Sequence, residues 1–374
     1  MPRRARAIVN AMKPKTAKKK STRTSKENLP GPDVHGLREL PGLTVEGYSL
    51  QLRDKDGFVG DQASQTAFRE LLERWRKRSR KNNGKDPLGG QHSRDLSKRE
   101  LDLALQEKKE FDAGYVMHAA VSEFSEELAS VIQRFLRQPS WHNVQRIVVG
   151  GGFPESHVGE RAVLQTGAIL EDLGVHVQLG RLSHNVDDGG LIGWVHLAPR
   201  EMLKGHDAIL AVDIGGTNVR CGIVKTRHRK ARDFSLAKVV RREKWRHADD
   251  EPNRSNMVEH IADMLEDMVR YSERKKIRLA PFIGIGCPGL IRPDGSIARG
   301  AQNLPGDWES HAFHLPSALW RRMPMIGSGP TLVLMHNDAV VQGLSELPFM
   351  RDVQHWGVLT IGTGLGNASF TNRR

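Results

Sequence analysis

The residues best suited to chemistry stand at the ends of apolar runs. Asp213-Ile214-Gly215-Gly216-Thr217-Asn218 follows Ala208–Val212, and Gly362-Thr363-Gly364-Leu365-Gly366 follows Trp356–Ile361. A strand that runs into a turn without side chains presents backbone N–H groups to an anion and lets phosphate oxygens approach. One such turn is weak ground. Two of them, one built on Asp-Gly-Gly-Thr and one on Gly-Thr-Gly-x-Gly, fit a nucleotide held between two lobes. Asn337-Asp338 follows another apolar run, Leu332–Met335. A carboxylate projecting from a strand end can accept the proton of an attacking hydroxyl. Asp338 also begins a helical segment, where capping is the ordinary role. A further strand-to-glycine turn, Ile147-Val148-Val149-Gly150-Gly151-Gly152, comes much earlier in the chain.

The patterns around these turns predict alternating strands and helices. A helix is expected over 64–81 with Ser64 as N-cap. Another begins after Ser97, where Glu100 three residues on completes a capping box. Met117, Val121, Phe124, Leu128, Val131, Ile132 and Phe135 follow the helical period and predict a long helix over 112–137. Strands are expected at 45–52, 146–149 and 175–179, with helices at 158–173 and 189–198 and a linker at 199–207. Asp187 and Asp188 precede the last of these helices, where capping is sufficient explanation. A new unit opens at Ala208. Its strands 208–214 and 219–225 pair as a hairpin around the first glycine turn. A strand at 236–243, a helix at 256–272 and strands at 282–286 and 332–335 complete it.

Composition narrows the class. The chain has 374 residues, room for two or three domains of about 100–200 residues. Its two cysteines, Cys221 and Cys287, lie in apolar runs and read as buried free thiols, which excludes a disulfide framework and a cysteine-rich zinc site. A reducing, cytoplasmic location follows, and no apolar run is long enough to span a membrane. The basic N-terminus lacks the apolar segment of a secretory signal. The net charge of +13 is concentrated at the start, where residues 1–28 carry ten Lys or Arg against Glu27 alone. Residues 1–31 therefore read as a disordered tail able to bind polyanions weakly. No zinc finger or RNP-like motif supports specific nucleic-acid recognition.

Five pieces resemble the ROK family of bacterial glucokinases, related hexose kinases and repressors, within the actin-like ATPase superfamily. They are Asp213-Ile-Gly-Gly-Thr-Asn-Val-Arg220, Gly284-Ile-Gly-Cys-Pro-Gly289, Asn303-Leu-Pro-Gly306, Asn337-Asp338-Ala339 and Gly362-Thr-Gly-Leu-Gly366. Their order and spacing follow the family from about 208 to 367. The family's remaining half is matched, less specifically, at the front of the chain. The resemblance thus implies a two-lobed α/β fold of the actin-like ATPase/hexokinase (ribonuclease H-like) type, circularly permuted. A large nucleotide-side lobe would span 32–207 and 339–374, and a small lobe 208–338.

The resemblance implies ATP and Mg²⁺ as cofactors, a hexose as substrate and a homodimer as the family default. Asp338 would be the general base. Asp213 would order Mg²⁺ through water, against the simpler role of a buried turn residue. Gly215, Gly216, Thr217, Asn218, Gly362, Thr363, Gly364 and Gly366 would hold phosphates, and Gly151 and Gly152 would lie against the nucleoside. Each glycine group reads otherwise as a plain turn. Asn303, Asn337 and Gly289 would meet the sugar, with loop stabilisation the alternative for Asn303. The family's Glu-x-Gly-His pair and its His/Cys zinc cluster are absent, so no zinc is expected. His35, Glu46 and Asp61 are the available substitutes. The alternatives are an ATP-binding protein with a degenerate or altered acceptor site and a sugar-responsive regulator, against which 1–60 holds no pair of helices of the helix-turn-helix kind.

Overall fold

The computed structural model describes residues 35–55, 57–107 and 111–373. The basic tail therefore lies outside the described residues. Two mixed sheets dominate. The first has strands β4 (Ala208–Ile214), β5 (Val219–Lys225), β6 (Lys238–Trp245), β7 (Leu279–Cys287) and β8 (Leu332–Asn337), in the order β8-β7-β4-β5-β6. The second has β1 (Leu43–Tyr48), β2 (Arg146–Gly150), β3 (Gln178–Arg181), β9 (His355–Ile361) and β10 (Leu365–Asn372). Its order is β1-β10-β9-β2-β3, with the short strand Glu39–Leu40 outside β1.

Both sheets have one plan. In the first, β4, β5 and β6 are antiparallel neighbours, and β7 and β8 run parallel to β4. In the second, β9, β10 and β1 form the antiparallel trio, and β2 and β3 run parallel to β9. The two plans coincide when the second sheet is read in the order β9, β10, β1, β2, β3.

Composition explains the layering. β4 and β7 are apolar nearly throughout, as strands covered on both faces must be. β6 carries Lys238, Arg241, Arg242 and Lys244, charges that suit an exposed edge. Helix α6 (Arg254–Arg274) and α7 (Leu315–Arg322) cover one face of the first sheet through Ile261, Leu265 and Leu319. On the second sheet, α1 (Gln65–Asn83), α2 (Lys98–Gln106), α3 (Phe111–Leu136) and α4 (His157–Asp172) cover Ile147, Val149, Leu359 and Ile361. Ser64 caps α1 by accepting from Ala67 N at 3.1 Å, and Ser97 and Glu100 form the expected capping box.

Between the sheets lie α5 (Val186–Ile192) and α8 (Asp338–Glu346). Val341 of α8 joins the core of the first sheet, while Val340 and Leu344 join that of the second. A helix apolar on two sides is what a shared interlobe layer requires.

Three expectations move. The strand expected at 175–179 forms at Gln178–Arg181, because Val177 N turns back to Val175 O and pairing with β2 begins at Gln178. The helix expected at 189–198 is α5, capped by Asn185, followed by a 3₁₀ turn at Gly193–His196. Its residues Leu191, Trp194 and Val195, with Leu203, pack on the first sheet. Residues 186–203 thus pack on the first sheet as well as against α8. The expected linker contains a one-turn helix, Arg200–Leu203. Among the described residues no helix is long and apolar enough to cross a membrane. Cys221 and Cys287 are free and buried.

Candidate active site

The strands β4, β7 and β8 of one sheet and β9 and β2 of the other end at a common interlobe cleft. The hairpin β4–β5 pairs Asp213 with Arg220 and Ile214 with Val219, so 215–218 form its turn. Gly215 N donates to Asn218 O at 2.9 Å, and Ala248 N supports Thr217 O at 3.3 Å. The matching turn between β9 and β10 is closed by Gly362 N donating to Gly364 O at 2.9 Å. The start of α1 holds it: Gln65 N donates to Gly362 O at 2.9 Å and Thr66 Oγ1 to Thr363 O at 3.1 Å. The turns meet across the cleft, with Thr217 Oγ1 and Thr363 Oγ1 2.9 Å apart.

The glycines differ in what requires them. A Cβ at Gly364 would meet nothing within 4 Å, and one at Gly362 would meet only Gly364 O at that limit. Packing within the chain does not demand glycine there, and the space in front of both is open to a ligand. Gly366 is different, since a Cβ there would overlap Thr360 Oγ1 on the paired strand. Gly151 has φ +89° and its missing Cβ would lie 2.5 Å from Ile361 O. Close packing of the 151–152 turn on the end of β9 accounts for that glycine.

Asp213 is held by a relay that spans both layers. Arg220 Nη1 donates to Asp213 Oδ2 at 3.0 Å and its Nε to Asp187 Oδ1 at 2.5 Å. Lys244 Nζ reaches Asp187 at 3.1 Å, and Arg242 pairs with Asp188. Burial opposes ionisation of Asp187, but Arg220 and Lys244 outweigh it and hold the carboxyl below its usual range. At Asp213 burial prevails over Arg220, and the pKa rises. Asp187 is thus an ion-pair partner, while Asn185 does the capping. Two glycines give the Asp213 carboxylate room. The Cβ positions of Gly190 and Gly286 lie 2.8 and 3.6 Å from Oδ1.

Asp338 begins α8 one residue after the N-cap. The cap is Asn337, whose Oδ1 accepts from Ala339 N at 3.0 Å and Val340 N at 3.2 Å. Its Nδ2 donates to Ser49 Oγ and to Gly289 O, both at 3.0 Å. All four hydrogen-bonding positions of this buried amide are therefore taken by the protein. Asp338 shares the cap, its Oδ1 accepting from Ala339 N at 2.9 Å. Burial and then the nearby Asp213 carboxylate push its pKa up to about 7.

Gly289 (φ +99°) turns the chain below Asn337, and a Cβ there would be 2.5 Å from Arg299 O. Asn303 is exposed, with its Cβ 3.2 Å from the Cβ position of Gly216. The structure therefore sets Asp213 and Asp338 on either side of Gly286 and Thr217 beside Thr363, with Asn337 bonded to Gly289 O. Of the three proposed substitutes, His35 accepts from Met335 N at 2.9 Å and Glu46 accepts from Thr371 Oγ1 at 2.6 Å. Both are bound into the fold, and Asp61 is exposed in a 3₁₀ turn. The segment that does cover Asn337 and Gly289 is Tyr48-Ser49. Ser49 has φ +48°, and Tyr48 Oη donates to Ile291 O at 3.2 Å. Arg220 was legible in principle, because a turn at 215–218 forces it opposite Asp213. The contacts of Asp187 and Ser49 carry no such local signal.

The mixed α/β architecture, with two sheets of one plan, a helix layer between them and paired glycine turns, is of the kind that the resemblance to the two-lobed actin-like ATPase class implies. No family profile matches the chain. A stretch of 166 residues, 44% of this chain, is 30% identical to the glucokinase of Thermotoga maritima and covers 44% of that protein. Among solved structures, the Lmo2764 protein of Listeria monocytogenes, a proposed N-acetylmannosamine kinase, is similar over 44% of this chain and 47% of its own, at 24% identity and TM-score 0.31. A proposed sugar kinase from Cytophaga hutchinsonii is similar over 44% and 48%, at 23% identity and TM-score 0.30. The chain thus spans about half the length of the relatives it matches. Over that stretch the glucokinase match accords with the resemblance to sugar kinases.

Proposed function

We propose that the protein transfers a phosphoryl group from ATP to a hydroxyl of a hexose, with Asp338 as general base. The observation that carries this reading is a pair of glycine–threonine turns that meet at 2.9 Å, with Asp213 and Asp338 close together on either side of Gly286. Asp338 would take the hydroxyl proton as the sugar oxygen bonds to the γ-phosphorus and the bond to the β-phosphate oxygen breaks. Open space before Gly362 and Gly364 suits phosphate oxygens, and Thr217 and Thr363 offer hydroxyl donors. Asp213 would be the residue to order a hydrated Mg²⁺, which when bound would neutralise phosphate charge. Asn337 is better read as the clamp that fixes Asp338 and Gly289 than as a sugar contact. Asn303, at the rim, remains a proposed sugar contact.

Circular permutation is part of the same proposal. The second sheet repeats the first only when β9 and β10 are read before β1. A linear comparison can follow a permuted relative through one half only, which accords with the coverage of 44%.

A nucleotide-binding protein with an altered acceptor site is the second reading, favoured by Tyr48-Ser49 lying over Asn337 and Gly289. ADP release from MgATP, measured across glucose, mannose, fructose, allose and N-acetylated hexoses, separates the two. Sugar-dependent turnover supports the kinase. Nucleotide binding without turnover on any sugar supports the altered site, and loss of both overturns the cleft assignment.

A further inference from the structure

We infer that Gln342 is a contact for the phosphoryl-donor nucleotide, an inference that rests on the nucleotide-cleft reading above. Gln342 lies four residues after Asp338 on α8, one helical turn along the same face. Its side chain is more than nine-tenths buried. Its Nε2 is 3.1 Å from the Cβ position of Gly150, the last residue of β2, and 3.4 Å from that of Gly189 on α5. The neighbouring Gly190 abuts the Asp213 carboxylate. The amide thus sits where the glycine turn after β2 and the Asp213 corner of the cleft converge.

Among the described residues, the Gln342 amide makes no hydrogen bond, whereas its backbone carbonyl accepts from Ser345 Oγ at 2.7 Å. The amide keeps some contact with solvent, so it is free to meet a ligand. The other polar groups on this stretch of α8 are accounted for. Asp338 Oδ1 accepts from Ala339 N at 2.9 Å, and Glu346 accepts from Ser183 N at 3.0 Å and Ser183 Oγ at 2.7 Å, which anchors the segment leading into α5. Leu182 fills the apolar side of Gly150, so the amide remains as the polar group at that junction. A side chain that both donates and accepts, beside two residues without Cβ, suits an oxygen of a nucleotide, whether ribose hydroxyl or phosphate.

The test is calorimetric titration of the full-length protein and its Gln342→Leu variant with a non-hydrolysable ATP analogue and with tripolyphosphate, each with Mg²⁺. The variant should bind the nucleotide about five- to tenfold more weakly, the loss of one ligand hydrogen bond. Its Tm should stay close to that of the parent, since no hydrogen bond within the described residues is removed, and KM for the sugar should not move. A loss shared by tripolyphosphate assigns the contact to phosphate, and a loss confined to the nucleotide assigns it to the ribose. Gln342→Met, which keeps the reach without the amide, guards against a packing artefact and should weaken binding equally. Unchanged nucleotide affinity in both variants overturns the inference. Failure of the unmodified protein to bind nucleotide overturns the cleft reading instead.

Discussion

Asp338 answers two requirements at one position. It must be ionised to accept a proton, yet basic enough for the transfer to be productive, and a pKa of about 7 meets both. The cause is local: burial disfavours the charge, and Asp213 adds a second negative group across the space left by Gly286. Because the deprotonated form is the active one, kcat/KM should rise with pH and level off above about 7. Asp338→Asn should lower turnover about 10²–10⁴-fold and abolish that inflection. Asparagine retains an oxygen to accept from Ala339 N, and Asn337 still caps α8, so the Tm should stay close to that of the parent. Steady-state rates across pH, with thermal melting of both proteins, check this. A full rate in the variant would remove Asp338 from the chemistry.

At the scale of elements, the site depends on α5 and its 3₁₀ extension packing directly on α8. Gly193 is the closest point, where a Cβ would overlap the backbone carbonyl of Val341. Backbone cannot swing aside as a side chain can, so Gly193→Ala should cost about 3 kcal/mol, near the upper end of ordinary overpacking. Denaturant titration measures it, and a change within error would mean that the interlobe layer is loosely packed. This contact also marks where the sequence ceases to inform. Hairpin β4–β5 was readable to the residue, because a glycine turn between two apolar runs sets its own register. The caps Ser64 and Ser97 were readable because their partners lie three residues away. Strand β3 was misplaced because β2 chooses its register, and the start of α5 because Asn185 rather than the Asp187-Asp188 pair caps it. In the site, Asp213 and Asp338 were legible from type and position. The engagement of Asn337 by Ser49 was not, since those residues are 288 apart in sequence.

For the whole molecule, what matters is how the front of the chain is tied to the rest. Residues 35–37 are stitched to β8 through His35, which accepts from Met335 N, and through His336, whose Nε2 lies 3.0 Å from Leu37 O. Burial lowers both histidines to about 4. The unfolded chain takes up these protons near 6.5, so between about 6.5 and about 4 it binds more protons than the folded chain. Stability should therefore fall as pH drops through that window, on the order of 3 kcal/mol for each group. Melting curves across it should show a declining Tm, and a flat Tm would contradict the burial of these neutral rings. The same stitching bears on chain order. Arg373 N donates to Gly42 O at 2.9 Å, and Asn372 pairs with Leu43, so β10 ends beside the start of β1. Gly205, exposed and at φ +80°, precedes the point where Asp207 N is bound by Arg278 O. A rearranged chain can open at Gly205, run to Arg373 and continue through a flexible linker into residue 35. It keeps every strand pair of both sheets and changes only loop closure, whose free energy varies slowly with length. It should fold, melt near the temperature of the parent and bind nucleotide with similar affinity. A rearranged protein that is unfolded, while the parent is folded under the same conditions, would show that the order of the halves is needed for folding and would defeat the permutation proposal.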